Sequence, residues 1–340
     1  MMPWEMTVAV ELYFPHDEID TKNPNFDLAA DYLELTAFFS DQSRSFTKDL
    51  INATEIGAEE DYSDVDEEMT DREEIVSGAV RRIDVRRDAL GEAYPFTLDE
   101  SGDVLTYVGQ EPTYGQAAYL LSLILSHLKS VSPILVGSAV YPSEAEVIEL
   151  RKYFQYFATA ALAAEVNGRA WSFGHPRPDK TNFHAKLAEI WGVFRDGILQ
   201  PAIGAPTRPQ DDQIDVFAAR LHRDGLPGFL LAAGQVATGN NWRDKSLRNH
   251  LEKVFPSRWF GQQPVTQMMC YHIIPFTRPD ADFVDDCRLL GNVLHRLRVP
   301  LRVAEAQGLH DQGMAIEAFD QLPVAVDWVK AYATRGTAAA

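Results

Sequence analysis

The sequence has little cysteine, no long apolar run and few cations in its first half. Cys270 and Cys287 are the only cysteines among 340 residues and cannot build a disulfide framework. The longest apolar stretch, from Ala117 to Leu125, is too short to cross a bilayer. Carboxylates at Glu5 and Glu11 interrupt any secretory leader. These absences predict a cytoplasmic protein without a membrane span.

Several common catalytic motifs are also missing. The sequence has no G-x-S-x-G, H-E-x-x-H or C-x-x-C, which leaves serine hydrolase, zinc protease and thiol redox chemistry without support. Gly234 to Gly239 has the G-x-x-x-x-G spacing of a phosphate-binding loop, but Asn240 and Asn241 replace the Lys and hydroxyl that would bind phosphate and Mg²⁺. The run from Ala58 to Glu74 holds ten carboxylates, yet it lacks the glycine and spacing of a calcium loop and predicts a solvated loop.

The two halves of the chain differ in charge. Residues 1–150 contain 9 Lys or Arg against 31 Asp or Glu, whereas residues 151–340 contain 22 against 19. The first half would repel a phosphate backbone and the second would not. This asymmetry, with a length suited to two domains, predicts an acidic α+β domain over residues 1–140 and a second domain over residues 141–335.

The stretch from 210 to 245 carries the strongest chemical signal. A β-prone apolar run surrounds Asp215, the turn residues 224–228 follow, and a second apolar run leads into Gln235. This pattern predicts a β-hairpin in which Asp215 and Gln235 converge. A carboxylate beside a carbonyl oxygen suits a hard cation such as Mg²⁺.

An Asp in an I-D-V strand, then a hairpin and a Gln at the end of the next strand, resembles the PD-(D/E)xK, or restriction-endonuclease-like, superfamily. The likeness is nearest to its Mrr-like branch, in which Gln replaces Glu, and covers residues 150–275. The resemblance implies an α/β fold with a restriction-endonuclease-like mixed sheet flanked by helices, here preceded by the acidic α+β domain. It further implies Mg²⁺-dependent hydrolysis of DNA, with Mn²⁺ as a substitute, in bacterial restriction or anti-phage defence.

The sequence departs from this family pattern at two points. The Lys expected two residues after the Gln is Ala237, so Lys245, or less directly Arg243, is predicted to supply the cation. The family's Glu on the helix before the first strand corresponds to Glu165, or in a shifted alignment to Gln155. The predicted site therefore comprises catalytic residues Asp215, Gln235 and Lys245, metal ligands Asp215, Gln235, Glu165 and Asp212, and DNA contacts Arg177, Arg243, Arg248 and Lys253.

Two other interpretations remain open. With Ala237 in place of the Lys, the domain could be a degenerate nuclease that binds nucleic acid or a partner protein within a defence complex. The acidic half could mimic DNA and occupy a basic groove, or it could sense, oligomerise or hold a partner. DNA against RNA and the formation of a homo-oligomer also stay open.

Periodicity and turn residues predict the elements around the site. Helices are expected over 27–39, 75–90, 114–128, 143–164, 182–194, 246–255 and 285–297, strands over 4–14 and 265–276, a hairpin over 94–108 and a rigid loop over 171–178. His272 lies among apolar residues and is interpreted as a core histidine rather than a ligand.

Overall fold

The computed structural model describes residues 12–16, 19–20, 23–56, 65–128, 134–278 and 280–338. The chain divides into two units, one formed by residues 1–147 with 326–340 and the other by residues 148–325. No helix among the described residues is both long enough and apolar enough to cross a membrane.

The first unit combines helices with short antiparallel strands. Its described elements are β1 (Ile19–Asp20), β2 (Asn23–Pro24), α1 (Phe26–Phe39), β3 (Arg44–Phe46), α2 (Lys48–Ile56), α3 (Val65–Leu90), β4 (Phe96–Leu98), β5 (Val104–Tyr107) and α4 (Tyr114–Ser126). Strands β3, β5 and β4 form an antiparallel sheet in that order. The predicted helices over 27–39 and 114–128 and the predicted hairpin over 94–108 are confirmed. The part of the acidic run from 65 to 74 is helical rather than a loop, because Glu, Met and Arg are good helix formers and continue into the amphipathic part of α3.

A buried ionic cluster lies inside this unit. Glu34 and Arg86 are 0% and 1% exposed, and Arg86 Nη1 lies 2.7 Å from Glu34 Oε1. The hydroxyls of Tyr94 and Tyr119 donate to the two Glu34 oxygens, each at 2.7 Å. Arg86 also pairs with Asp31 at 2.7 Å. Both oxygens of the buried Glu34 carboxylate are therefore satisfied, as a buried charge requires.

The second unit is built around one mixed sheet. The remaining elements are α5 (Glu144–Val166), β6 (Arg169–Ser172), α6 (Phe183–Phe194), β7 (Ile198–Leu199), β8 (Val216–Arg220), β9 (Leu230–Val236), α7 (Phe255–Trp259), β10 (Phe260–Gln262), β11 (Met268–Ile273), α8 (Asp280–Leu290), β12 (Asn292–Leu294), α9 (Val299–Asp311), α10 (Leu322–Ala333) and α11 (Arg335–Ala338). Helix α5 begins before residue 148, and α10 with α11 extend into the residues that belong to the first unit.

The five strands of the mixed sheet lie in the order β12, β11, β9, β8, β6. The pairs β6–β8 and β8–β9 are antiparallel, whereas β9–β11 and β11–β12 are parallel. Helix α6 packs on the face that presents Phe217 and Ala233. Gly234 points the other way, and a Cβ there would lie 3.3 Å from Leu162 of α5. The predicted mixed sheet flanked by helices is confirmed at this level.

Three sequence-based predictions in this unit are wrong in part. The predicted helix over 285–297 ends at Leu290, because Gly291 takes a φ of +93° and the chain turns into β12. The predicted helix over 246–255 is a π-helical turn, His250–Val254, followed by the short α7. The predicted loop over 171–178 starts inside β6. In the first unit, the predicted strand over 4–14 lies mostly outside the described residues, and its described part, 12–14, is not a strand.

Candidate functional site

Asp215 lies at the end of the β8–β9 hairpin, close to the backbone of the strand that carries Gln235. Val216 pairs with Gly234 in the antiparallel ladder, and Asp215 is the residue just before β8. The Asp215 N–H donates to the Gly234 carbonyl at 2.9 Å, and the Val236 N–H donates to Asp215 Oδ2 at 2.8 Å. The structure therefore places the Asp215 carboxylate beside the backbone at the end of β9, one residue beyond Gln235.

Asp215 also lies against the first strand of the sheet. Its carbonyl accepts hydrogen bonds from the N–H groups of Phe173 and Gly174, at 2.7 and 2.8 Å. A Cβ placed on Gly174 would lie 2.6 Å from Asp215 Oδ1 and 2.7 Å from Gln155 Nε2. Gln155 belongs to α5 and donates to Ser172 Oγ at 2.9 Å. The missing side chain at Gly174 thus leaves room for Asp215 and Gln155 to approach one point.

The surroundings of Asp215 disfavour the ionised form of its carboxyl group. The pKa of Asp215 is raised to about 7. Burial is the main cause and the neighbouring Asp211 adds to it, while the hydrogen bond from Val236 and the charge of Lys245 act in the opposite direction. A carboxyl group with this environment gains from a nearby cation, because the cation stabilises the ionised form. A perturbed carboxyl at a strand end is also a common mark of a functional site.

Gln235 has an unsatisfied oxygen. The residue is 9% exposed, and its Oε1 has no hydrogen-bond partner within the part of the chain that the structure describes. Buried carbonyl oxygens are seldom left unpaired, because the lost hydration costs roughly 1–3 kcal/mol. An unpaired amide oxygen next to the strand end that contacts the Asp215 carboxylate is one that a hard cation or its bound water would satisfy.

His272 continues this row on the neighbouring strand. It pairs with Gln235 in the parallel β9–β11 ladder and is 1% exposed. Burial lowers the pKa of His272 to about 4, so the ring is neutral near pH 7. Neither ring nitrogen makes a hydrogen bond of normal geometry with a described residue, although the backbone of Trp242 lies near enough to favour the charged form. The position agrees with a core histidine, and the neutral ring adds no charge beside Gln235.

Lys245 supplies the positive charge closest to this group. A short 3-10 turn, Trp242–Asp244, follows β9, and the Lys245 N–H donates to the Trp242 carbonyl at 3.3 Å. The Lys245 charge is near enough to lower the pKa of both Asp215 and His272. The half-buried ammonium forms no hydrogen bond or ion pair with any described residue. It is therefore free to interact with a ligand. Ala237, at the position where the family pattern has Lys, is 0% exposed.

The other two predicted metal ligands are engaged elsewhere. Glu165 pairs with Arg302, whose Nε lies 2.7 Å from Glu165 Oε2, and it accepts from the Tyr271 hydroxyl at 3.5 Å. On α5 it follows Gln155 by ten residues, or about 15 Å along the helix. Gln155, the residue that the shifted alignment matches to the family's Glu, therefore lies beside Asp215, and Glu165 does not.

Asp212 anchors the loop that delivers Asp215. Asp212 and Gln213 both have a positive φ, of 51° and 72°, so the chain turns sharply before β8. Asp212 Oδ2 accepts from Trp259 Nε1 at 2.6 Å, and Oδ1 pairs with Arg258. Burial alone would raise the pKa of Asp212, but the hydrogen bonds from His250 and Trp259 hold it below its usual value. Both oxygens face protein donors, which makes Asp212 a positioning residue rather than a ligand in this arrangement.

A metal ion here would rely on few protein ligands. Among the described residues, no group of three or more His, Cys, Asp or Glu side chains is arranged to hold a metal ion. The available oxygens are the Asp215 carboxylate and the Gln235 amide. Such a sparse oxygen set fits Mg²⁺ better than Zn²⁺ or Ca²⁺, because Mg²⁺ keeps several waters and binds through one or two carboxylates.

The predicted DNA contacts differ in accessibility. Arg177 is 5% exposed and stacks 4.8 Å from the Phe173 ring, and it donates to the carbonyls of Thr181 and Gln210. Arg243 donates to Asp286 at 2.9 Å. The other two predicted contacts, Arg248 and Lys253, are exposed, and Arg248 donates to the Arg288 carbonyl.

Comparison of the chain with protein-family models, with curated proteins and with solved structures found no match.

Proposed function

We propose that the second unit is a Mg²⁺-dependent nuclease that hydrolyses phosphodiester bonds in DNA. The observation that carries the proposal is the Asp215 carboxylate at the end of β9, where it accepts from the Val236 N–H, with the oxygen of the adjacent, buried Gln235 left without a partner among the described residues. The resemblance implies a helix followed by two strands, and α6 is followed in the mixed sheet by β8 and β9, which supports that fold for this unit. As that resemblance implies, we assign the activity to restriction or anti-phage defence.

Each residue of the site has a distinct role in this proposal. Asp215 and Gln235 would hold the ion through their side-chain oxygens, as a carboxylate and a carbonyl do for hard cations. Bound Mg²⁺ supplies polarisation of a phosphoryl oxygen and an activated water. Lys245 would offset the negative charge that develops on the phosphoryl oxygens, because stabilising such charge usually contributes most to catalysis of this kind. Asp212 would keep the loop before Asp215 in place through Arg258 and Trp259.

Plasmid cleavage tests the proposal directly. The full chain is incubated with supercoiled DNA and Mg²⁺ or Mn²⁺, beside Asp215→Ala, Gln235→Ala and Lys245→Ala. Each variant is expected to lose at least about 100-fold in cleavage rate, because each removes a group that acts on the reacting phosphate. Glu165→Gln is the matched control and is expected to cleave like the parent chain, since Glu165 pairs with Arg302 instead of Asp215.

A second function is favoured by one observation. Ala237 is buried where the family pattern has its Lys, so the unit could bind nucleic acid or a partner protein without cleaving. The same plasmid assay separates the two. Absence of cleavage with every divalent ion, combined with retained DNA binding, would favour the binding subunit and overturn the nuclease.

A further inference from the structure

A cleft opens one residue from the candidate site. It has a volume of about 700 Å³ and lies between the segment 175–184 and the loop 207–210. Its first lining residue, His175, follows Gly174, where Asp215 and Gln155 approach one point. The lining of the cleft therefore begins at the residue that follows Gly174 in the chain, close to Asp215.

The charged groups that line the cleft are all basic. Arg177, Lys180 and Arg208 contribute positive charge, and His175 and His184 add two imidazoles. No Asp or Glu lines it among the residues that the structure describes. The neighbouring carboxylates lie outside the lining. Asp179 accepts from Thr181 and Lys186, and Asp211 accepts from the Gln213 N–H. The lining of the cleft is therefore basic, which favours an anionic ligand.

Arg177 forms the buried wall of the cleft. Its side chain is held over Phe173, and both terminal nitrogens donate to backbone carbonyls. Its Nε has no hydrogen-bond partner within the described structure. The charges of Asp211, Asp179 and Glu317 act on the Arg177 guanidinium, but its hydrogen bonds go to neutral carbonyls, so an anionic ligand at the unpaired Nε would stabilise it.

The start of α6 adds a second source of positive potential. Asn182 caps the helix by accepting the Ala185 N–H at 2.9 Å, and Asn182, Phe183 and His184 all line the cleft. The N–H groups of the first turn have no acceptor within the helix, and the helix dipole favours an anion at this end. Phosphate groups bind commonly at such positions.

We propose that this cleft binds a phosphate of the nucleic-acid backbone next to the scissile bond, with Lys180 and Arg208 as its direct partners. The inference rests on the proposed nuclease function and names the substrate contact of that same site. Lys180 and Arg208 are exposed, and neither side chain forms a hydrogen bond or ion pair with a described residue. Their removal should leave the fold unchanged while it removes cations from the cleft.

Salt-dependent binding tests the cleft without cleavage. Labelled duplex DNA, single-stranded DNA and RNA of equal length are titrated with the full chain in EDTA, over a series of salt concentrations. Lys180→Ala and Arg208→Ala are each expected to weaken binding severalfold and to reduce the slope of log K against log salt by about 0.9 for the duplex. Arg223→Ala is the matched control, because it removes the same charge from an exposed turn outside the cleft.

Two outcomes would overturn the proposed phosphate site in the cleft and leave the proposed nuclease function standing. In the first, the cleft variants bind and cleave DNA like the parent chain. In the second, Arg223→Ala reduces the slope as much as they do, which would show a diffuse charge effect. The preferred strand type in these titrations identifies whether the backbone belongs to DNA or RNA.

A third result would overturn the proposed nuclease function but leave the phosphate site in the cleft to be tested separately. If the parent chain neither binds nor cleaves nucleic acid, pyrophosphate is titrated while the imidazole signals of His175 and His184 are followed by NMR. Saturable shifts that Lys180→Ala weakens would retain a phosphate site. The absence of such shifts would overturn the cleft as well.

Discussion

Each unit holds a carboxylate away from bulk water, but the two carboxylates are satisfied differently. In the first unit, Glu34 is fully buried and each of its oxygens accepts a hydrogen bond, one from Tyr94 and Arg86 and the other from Tyr119. In the second unit, Asp215 has a pKa raised by burial, and the nearby Gln235 leaves its oxygen without a partner among the described residues. Both Glu34 oxygens are thus paired in a closed cluster, whereas the charge of Lys245 acts on Asp215 without an ion pair between them.

This contrast distinguishes buried polar groups with a structural role from those that lie at ligand sites. A fold tolerates a buried charge when neighbouring side chains neutralise it, and Arg86 does so for Glu34. A buried polar group that the protein leaves unpaired costs stability, and such a cost is most often found at ligand sites. By the same criterion, Glu165 and Asp212 have structural roles, because protein donors already bind their oxygens.

Breaking the closed cluster should have the largest effect on stability. Arg86→Met leaves the Glu34 charge buried without its cation, and we expect the free energy of unfolding to fall by about 3–5 kcal/mol in urea denaturation. Adding Glu34→Gln to this variant should restore part of the loss, since the amide is neutral and can accept from one tyrosine hydroxyl and donate to the other. A loss below about 1 kcal/mol for Arg86→Met would show that the cluster contributes little.

Removing the charge of Asp215 should increase the free energy of unfolding instead of lowering it. The pKa of Asp215 is raised from its usual value to about 7 in the folded state, so the folded chain holds a proton that the unfolded chain releases between roughly pH 4 and 7. Stability contributed by this group is therefore lost as pH rises through that window. Asp215→Asn should match the parent chain near pH 4 and exceed it by on the order of 2–4 kcal/mol at pH 8. Equal stabilities at both pH values would contradict the raised pKa.

Mg²⁺ should stabilise the ionised form of Asp215. Saturating Mg²⁺ is expected to raise the unfolding free energy of the parent chain by about 1–3 kcal/mol, because it binds only the folded site. The effect is measured as a thermal shift at pH 8 with matched ionic strength. Asp215→Asn should show no shift, and Glu165→Gln should shift as the parent does. An equal shift in all three chains would indicate binding elsewhere.

The smallest effect is expected at the Glu165–Arg302 pair. Both side chains are partly exposed, at 23% and 38%, so Glu165→Gln should change the unfolding free energy by less than about 1 kcal/mol. Thermal denaturation at low and high salt measures this change. A destabilisation of several kcal/mol would place Glu165 with the closed cluster of the first unit rather than with ordinary surface pairs.

Local sequence signals are sufficient for the hairpin at the site. Asp224 and the glycines that follow specify the turn, and the apolar runs on each side specify two strands, so the β8–β9 hairpin could be predicted. The Asn182 cap and the end of α6 at Phe194 follow from the same kind of signal. Such features depend on neighbours in sequence and need no tertiary information.

Features that depend on distant partners could not be predicted in this way. Gln155 and Glu165 both lie on α5, and only the packing of that helix on β6 decides which reaches Asp215. Strand β12 has three residues and follows Gly291, too short a pattern to distinguish from the end of a helix. The sequence predicts a DNA contact at Arg177, but the burial of that side chain over Phe173 comes from the tertiary fold.

The site needs glycine at position 174 because of the space that the missing side chain leaves, and not because of backbone flexibility. Its backbone is not in the left-handed region, so any residue could adopt its conformation, yet a single methyl group would collide with Asp215 and Gln155. Gly174→Ala would therefore disable the site without deleting a polar atom or altering a charge. An inactive protein obtained in this way would keep every proposed ligand and cation, which makes it a sharper tool for separating binding from cleavage than any substitution of Asp215.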